Sequence, residues 1–456
     1  MSPKMNGGRL DLQEAAKRVL AAARARGASA ADAIAVQDRA LSASVYRGAI
    51  DKLKTANERA LGLRVFYGAR SATTSTSDFS KESLERLVED TCALAQVTAE
   101  DPVASLPEPA EMATEFPDLD LHDPEGAALS VEEQIDRGRR AEAAARAVDP
   151  RVKNMDAGDW EGSEGRMVIA NTHGFVGEVS GTEFFLYVSP IAEENGAMQR
   201  ADHYTAGRKL SGLAAPEEIG RIAGERAVSR LGARKIPTAR VPVIFERDSA
   251  SSLIGHLGEA VAGSSVYKGT SFLIGKMGDK IGPDRMTVVD DGTIPAALGS
   301  GPFDGEGLPV RRTVVVEKGR LTSWLLDTYS ARKLDLLSTG NAQRGVSSGP
   351  GVGPHNLFLE PGTERPEDLI RSVKAGLYVT ELIGFGVNPV SGDYSRGVAG
   401  FWIENGELAY PVEEITIAGN LLTMYERIEA VANDLDLRRT VAAPTLLIGE
   451  MMIAGD

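Results

Sequence analysis

One cysteine in 456 residues, Cys92, leaves no partner for an internal disulfide and no material for a multi-cysteine zinc site. Histidine is scarce too: His122, His173, His203, His256 and His355 are all there are, and no HExxH signature occurs. No run approaches the roughly 20 apolar residues of a membrane helix. The opening "MSPKMNGGRLDLQEAAKRVL" has no apolar stretch of the secretory kind. A reducing cytoplasm is therefore the expected compartment, with no membrane partner. Positive charge is also short. Against 65 Asp and Glu stand 50 Lys and Arg, for a net −15, and no Lys/Arg-dense segment offsets it. Such a polyanion repels nucleic acid backbones, which argues against nucleic acid as a direct partner.

What remains is ordinary globular material, 42% hydrophobic and 25% charged, long enough for two or three domains. In "LDLQEAAKRVLAAARARG", Leu12, Ala15, Ala16, Val19 and Leu20 form one helical stripe, stopped by Gly27. "RALSASVYRGAI" and "RALGLRVFYGARSATTST" read as strands, and "DFSKESLERLVEDTCALA" as a helix capped by Ser80 with Cys92 inward. These elements make residues 1–100 an N-terminal α/β domain.

Prolines and acids deny regular structure to residues 101–129, read as a linker or an extended surface crossing. In residues 130–232, Ser130 and Glu133 form a capping box, turn signals at Asn171–Gly174 and Glu194–Gly196 mark an antiparallel meander, and Pro216 opens a helix. Residues 233–456 are glycine-rich, with hairpin signals at Lys318-Gly319 and Asn405-Gly406, and "NLLTMYERIEAVANDL" reads as one late helix. The expected class is α+β: an N-terminal α/β half with an antiparallel meander, and a C-terminal half of twisted, barrel-like antiparallel sheet with packed helices.

The most suggestive stretch is "DSASSLIGHLGEAVAGSSVYKGTS", Asp248 to Ser271. It predicts a helix over 248–262 with Asp248 as N-cap and Gly263 just past its end. Leu253, Ile254, Leu257, Ala260 and Val261 line one face, while Ser252, His256 and Glu259 share the other. Two ligand types at helical spacing could grip a metal, yet a catalytic zinc site takes three protein ligands. His256, Glu259 and a distant histidine such as His355 would supply three, which defines an autonomous metallopeptidase as one alternative.

Other signatures fail on inspection. "GVSSG" matches G-x-S-x-G, but Pro350, Gly351, Gly353 and Pro354 forbid the helix that must follow. "IGKMGDK" puts Met277 where a phosphate loop needs Ser or Thr, and Pro389 replaces the third glycine of a dinucleotide loop in "GFGVNP". The acids of "VVDDGT" and "FDGEG" are most simply turn formers.

Several segments together resemble the TldD/PmbA family: "YKGTSFLIGKMGDKI", "TVVDDGTIPAALGSGPFDGEGLP", "LLDTYSARKLDLLSTGNAQRG" and "GDYSRGVAGFWIENGELAYPVEEITIAGNL". The last of these, with "GEMMIAGD", resembles the PmbA branch, also called TldE. The resemblance implies a two-subunit cytoplasmic bacterial protease acting on unfolded peptides, including a peptide-antibiotic precursor and an antitoxin. The TldD subunit carries an H-E-x-x-x-H zinc motif and a cysteine near its C-terminus, and the PmbA/TldE subunit lacks them. An older family label, modulator of DNA gyrase, does not fit this chain's acidity as direct DNA binding.

Counting back from Gly269 at the family spacing places Ile254 and Gly255 at the first histidine and the glutamate, and Glu259 at the second histidine. His256 is out of register. The resemblance thus implies a non-catalytic subunit, with no cofactor of its own and zinc only in a TldD-type partner. Expected partners are that subunit in a heterodimer, a second copy when alone, and unfolded peptides. Cleft or substrate contacts are expected from His256, Glu259, Arg344, Asp393, Arg396 and Gly397. For Arg344 a structural charge pair is the stronger reading, and for the glycines turns and bulges compete equally. A peptide-binding homodimer without catalysis is the other alternative.

Overall fold

Where two successive residues carry positive φ the chain must reverse tightly, and the hairpin signals fall at such points. Asn195-Gly196, Lys318-Gly319 and Asn405-Gly406 all adopt left-handed pairs, each joining two antiparallel strands. The computed structural model describes residues 11–455, so the reading of the first ten residues lies outside it.

The N-terminal half is one antiparallel sheet of β1 (Ala30–Tyr46), β2 (Ala49–Tyr67), β3 (Arg70–Thr76), β4 (Val152–Asn171), β5 (Val176–Glu194), β6 (Ala197–Arg200) and β7 (His203–Gly207). Its order is β3-β2-β1-β4-β5-β6, with β7 also on β5, so strands from both sides of the acidic segment share it. Helices Leu12–Ala25 and Lys81–Val97 bury their apolar stripes, Cys92 included, against β1, β2 and β4. Helices Val131–Ala147 and Pro216–Ser229 cover Trp160 and Phe184 at the other end. These two helices pack backbone to backbone. A Cβ on Gly220 would lie 2.0 Å from the Ala141 carbonyl oxygen, so only glycine fits there.

The acidic segment crosses the surface, and its pinned points bind it to both halves. Met112 and Ala113 join a cluster with Ile34, Phe175 and Phe303, and the Leu119 carbonyl accepts from Ala296 N at 2.8 Å. Two short helical turns, Pro109–Glu111 and Pro124–Ala127, interrupt it.

In the C-terminal half, strands Ala375–Ile383, Asp393–Glu404, Glu407–Asn420 and Leu446–Ala454 close with Ala239–Phe245 into a five-stranded barrel. The ring closes because Glu407–Asn420 also pairs with Leu446–Ala454. A second five-stranded sheet around Val288–Asp291 packs beside it. No helix among the described residues is long and apolar enough to cross a membrane.

Two expectations need correction. The late helix runs only over Leu421–Glu426, and Ile428–Val431 is a strand. That segment's helical apolar spacing is overridden because it pairs with Leu446–Ile448 of the barrel. The N-cap of the helix read at 248–262 is Glu246, not Asp248, and the helix spans Arg247–Val261. Glu246 accepts from Asp248 N at 3.0 Å, which leaves the Asp248 side chain free for Arg438 and Arg439.

Candidate functional site

The Arg247–Val261 helix follows barrel strand Ala239–Phe245 after a single residue and drives its apolar stripe into the C-terminal core. Leu253, Ile254, Leu257, Ala260 and Val261 are all buried there, and Ile254 is 0% exposed. Gly258 faces inward as well, where a Cβ would meet Leu357 Cδ2 at 2.7 Å. At Gly255, by contrast, a Cβ would meet none of the described residues within 4 Å. Adjacent residues of the motif register thus point into a packed core and into open space.

The polar face is a linked row. Ser252 Oγ lies 3.5 Å from His256 Nε2, and His256 Nδ1 lies 3.7 Å from Glu259 Oε2. His256 holds the Glu259 carboxyl below the ordinary carboxylate range. The strand Asp393–Glu404 runs past this row. Tyr394 packs its ring edge-on to His256, with centroids 6.3 Å apart. Its hydroxyl is buried without a hydrogen-bond partner among the described residues, and burial pushes its pKa upward. Arg396 follows, donating weakly from Nη1 to Ser252 Oγ and from Nε to the Ile383 carbonyl, each at 3.5 Å. Sequence reasoning missed Tyr394. An aromatic two residues before Arg396 on one strand is the signal that could have found it.

A cleft of about 250 Å³ opens beside this row. Its walls are Ala201 and Asp202 from the segment before β7, Arg226, Ser229 and Arg230 at the end of the Pro216–Ser229 helix, Ser252, Thr380 to Leu382 and Arg396. The strand carrying Thr380 bulges between Val379 and Glu381, which re-aims side chains at the cleft rim.

The remaining expected residues part company. Gly397 sits beside the row but serves packing, since a Cβ there would come 3.3 Å from Ile383 Cβ. Asp393 is held outside it by Ser391 Oγ, which donates at 2.7 Å, and by Asn420 Nδ2 at 3.3 Å. Arg344 belongs to another place altogether. Its side chain is 0% exposed and its Nη1 lies 2.7 Å from Asp32 Oδ1 on β1. Arg64 on β2 and Glu306 complete this buried charge cluster, which fastens the N-terminal sheet to the C-terminal half. The direction of the Arg344–Asp32 contact is off-line, so its nitrogens lack well-aligned acceptors despite the short distance. Asp304 acts as a turn former, accepting from Glu306 N and Leu308 N at 2.9 Å.

The zinc implied by the resemblance finds no matching donors here. Ile254 offers carbon to the core, Gly255 offers no side chain, and Glu259 is solvent-exposed and tied to His256. His355 does not join them: its Nε2 lies 2.7 Å from the Gly340 carbonyl oxygen, and its backbone N donates to Asp290. Among the described residues, no three His, Cys, Asp or Glu side chains gather as a metal-binding group.

Models of the PmbA/TldA metallopeptidase domains match in sequence order: domain 1 over residues 31–95, the central domain over 124–231 and the C-terminal domain over 238–455. A protein of Escherichia coli O157:H7 named metalloprotease PmbA is 39% identical over 97% of this chain and 96% of its own length. A solved structure from Bacteroides thetaiotaomicron, described as a candidate modulator of DNA gyrase, aligns over 97% of this chain and 99% of its own. The two share a TM-score of 0.90 at 26% identity. A structure named TldE, from Thermococcus kodakarensis, aligns over 97% of this chain and 100% of its own with a TM-score of 0.87. At 23% identity, that likeness speaks for the fold.

Proposed function

The chain belongs to the PmbA/TldD family of metallopeptidases, and from that premise we propose that it is the PmbA/TldE-type, non-catalytic subunit of a TldD–TldE zinc metalloprotease. Its work is physical. It closes the chamber around the partner's zinc, so that extended, unfolded peptides enter and folded proteins do not. The observation that carries this reading is the pair of adjacent motif positions: Ile254 is packed wholly into the core and Gly255 is bare backbone. Neither can bind a cation or act as a general base, and a catalytic zinc needs three protein ligands.

His256, Glu259 and Arg396 then line the chamber wall as polar contacts, with Gly397 allowing close packing behind them. Zinc resides only in the TldD-type subunit, and the complex is cytoplasmic. Alone, the chain pairs with itself, because two subunits of one fold offer related interfaces. The competing autonomous peptidase needs a distant histidine such as His355 beside His256 and Glu259, and the contact of His355 Nε2 with the Gly340 carbonyl at 2.7 Å speaks against that histidine.

Peptide hydrolysis tests the proposal in three tubes: this chain, a TldD-type subunit from the same genome, and their mixture. The expected result is no turnover by this chain and the highest turnover in the mixture. Metal-dependent turnover by this chain alone would sink it.

A further inference from the structure

Seven charged side chains line the cleft beside the helix Arg247–Val261, and most of them are spent. Arg230 pairs with Glu381, Arg439 with Asp248 at 3.5 Å, and Arg226 with Glu246 at 3.2 Å. Two are left over. Arg396 has no carboxylate within salt-bridge reach among the described residues, only its two long contacts to Ser252 and Ile383. The Asp202 carboxylate likewise has no cation within salt-bridge distance among the described residues: Arg226, which donates to its backbone carbonyl, and Arg200 act on it only through space. Nor do the two pair with each other. One cleft therefore holds one unspent cation and one unspent anion, in a site otherwise neutralised by its own ion pairs.

Unpaired, partly buried charges of opposite sign call for a ligand carrying both signs. We propose that this cleft binds a short peptide with both ends free, its carboxylate on Arg396 and its ammonium on Asp202. The size agrees. At about 250 Å³ the cleft lies just below the roughly 300–1,000 Å³ of drug-sized sites. Ser252 and Thr380 are hydroxyl-bearing wall residues; Ser252 Oγ lies 3.5 Å from Arg396 Nη1, and Thr380 Oγ1 donates to the Ala399 carbonyl at 3.3 Å. Burial and the Glu381 charge push the Asp202 carboxyl upward against the partial compensation of Arg226 and Arg200, so an ammonium beside it relieves the remaining cost. The choice of a peptide rests on the peptidase-subunit reading, whereas the charge complement does not.

Titration calorimetry on the purified full chain tests this with four probes: L-alanyl-L-alanine, its N-acetyl form, its C-terminal amide, and alanine. The dipeptide binds, and either cap weakens it about tenfold or more, the loss expected for one charge-assisted contact. Arg396→Gln no longer distinguishes the amide from the free acid, and Asp202→Asn no longer distinguishes the acetylated form. Four results would overturn the proposal: no binding of the dipeptide at millimolar concentration, equal binding of the capped forms, variants that keep both preferences, or tighter binding of alanine. The capped probes need no mutant, so a variant that fails to fold leaves the test intact. Failure here would not touch the pairing with a TldD-type subunit, which co-purification reads separately.

Discussion

Ile254→Ala and Gly255→Ala alter neighbouring positions of one helix, and the structure assigns them opposite signs. Ile254 is 0% exposed and belongs to the core cluster that includes Leu253, Leu257, Trp324 and Tyr425. Truncating such a residue loses burial and leaves a cavity, about 2–5 kcal/mol. At Gly255 a methyl group meets none of the described residues within 4 Å, in a helix interior. Alanine there should add about 0.5–1 kcal/mol by restricting the unfolded chain and favouring the helix. Urea denaturation followed by tryptophan fluorescence suits the test, since Trp324 reports from the same cluster. With a slope of about 3 kcal/mol/M, even the smallest expected loss lowers the midpoint by about 0.7 M. Gly255→Ala should move it the other way. If Ile254→Ala costs under about 1 kcal/mol, or Gly255→Ala is as damaging, position 254 is not the core residue described.

Arg344→Met should cost about 3–5 kcal/mol near neutral pH, because it strands buried Asp32 with only Arg64. The Asp32 carboxyl is held below its ordinary 3.8 by Arg344 and Arg64 against its burial, so its contribution is present above about pH 4. It is lost as pH falls further, and the variant's deficit should shrink there, as denaturation at pH 3 and pH 7 would show. Asp304 behaves oppositely: burial, then the Glu306 charge, pushes it up to about 7. The stability from its retained proton is full below its ordinary 3.8 and lost as pH rises through about 7. Asp304→Asn should therefore flatten the decline in unfolding free energy between pH 5 and pH 8, whatever it costs overall. An unchanged slope would count against that assignment.

Local chemistry was readable in this sequence wherever a residue's own backbone decides the outcome. The Asn-Gly and Lys-Gly turns, the Ser80 and Ser130 caps and the two faces of the Arg247–Val261 helix all follow from spacing and side-chain type. Polar strands were harder. "DKLKTANE" in β2 and the first half of β4 carry little apolar alternation, and they extend because β1 pairs with the former and β5 with the latter. Ile428–Val431 reads as helix until the barrel claims it. The site divides the same way. Ser252, His256 and Glu259 share one helix, so their row was legible. Asp202 and Arg396 come from separate halves of the chain, and only the fold brings them to one cleft. Arg344 reads as a polar contact or a structural charge until Asp32 appears beside it.

The motif positions without donors are tested most directly by elemental analysis of the purified chain after equilibration with zinc and removal of the excess. The account predicts well under one zinc per chain, with no difference between the native protein and His256→Ala. One tightly held zinc per chain, lost in His256→Ala or Glu259→Ala, would contradict it.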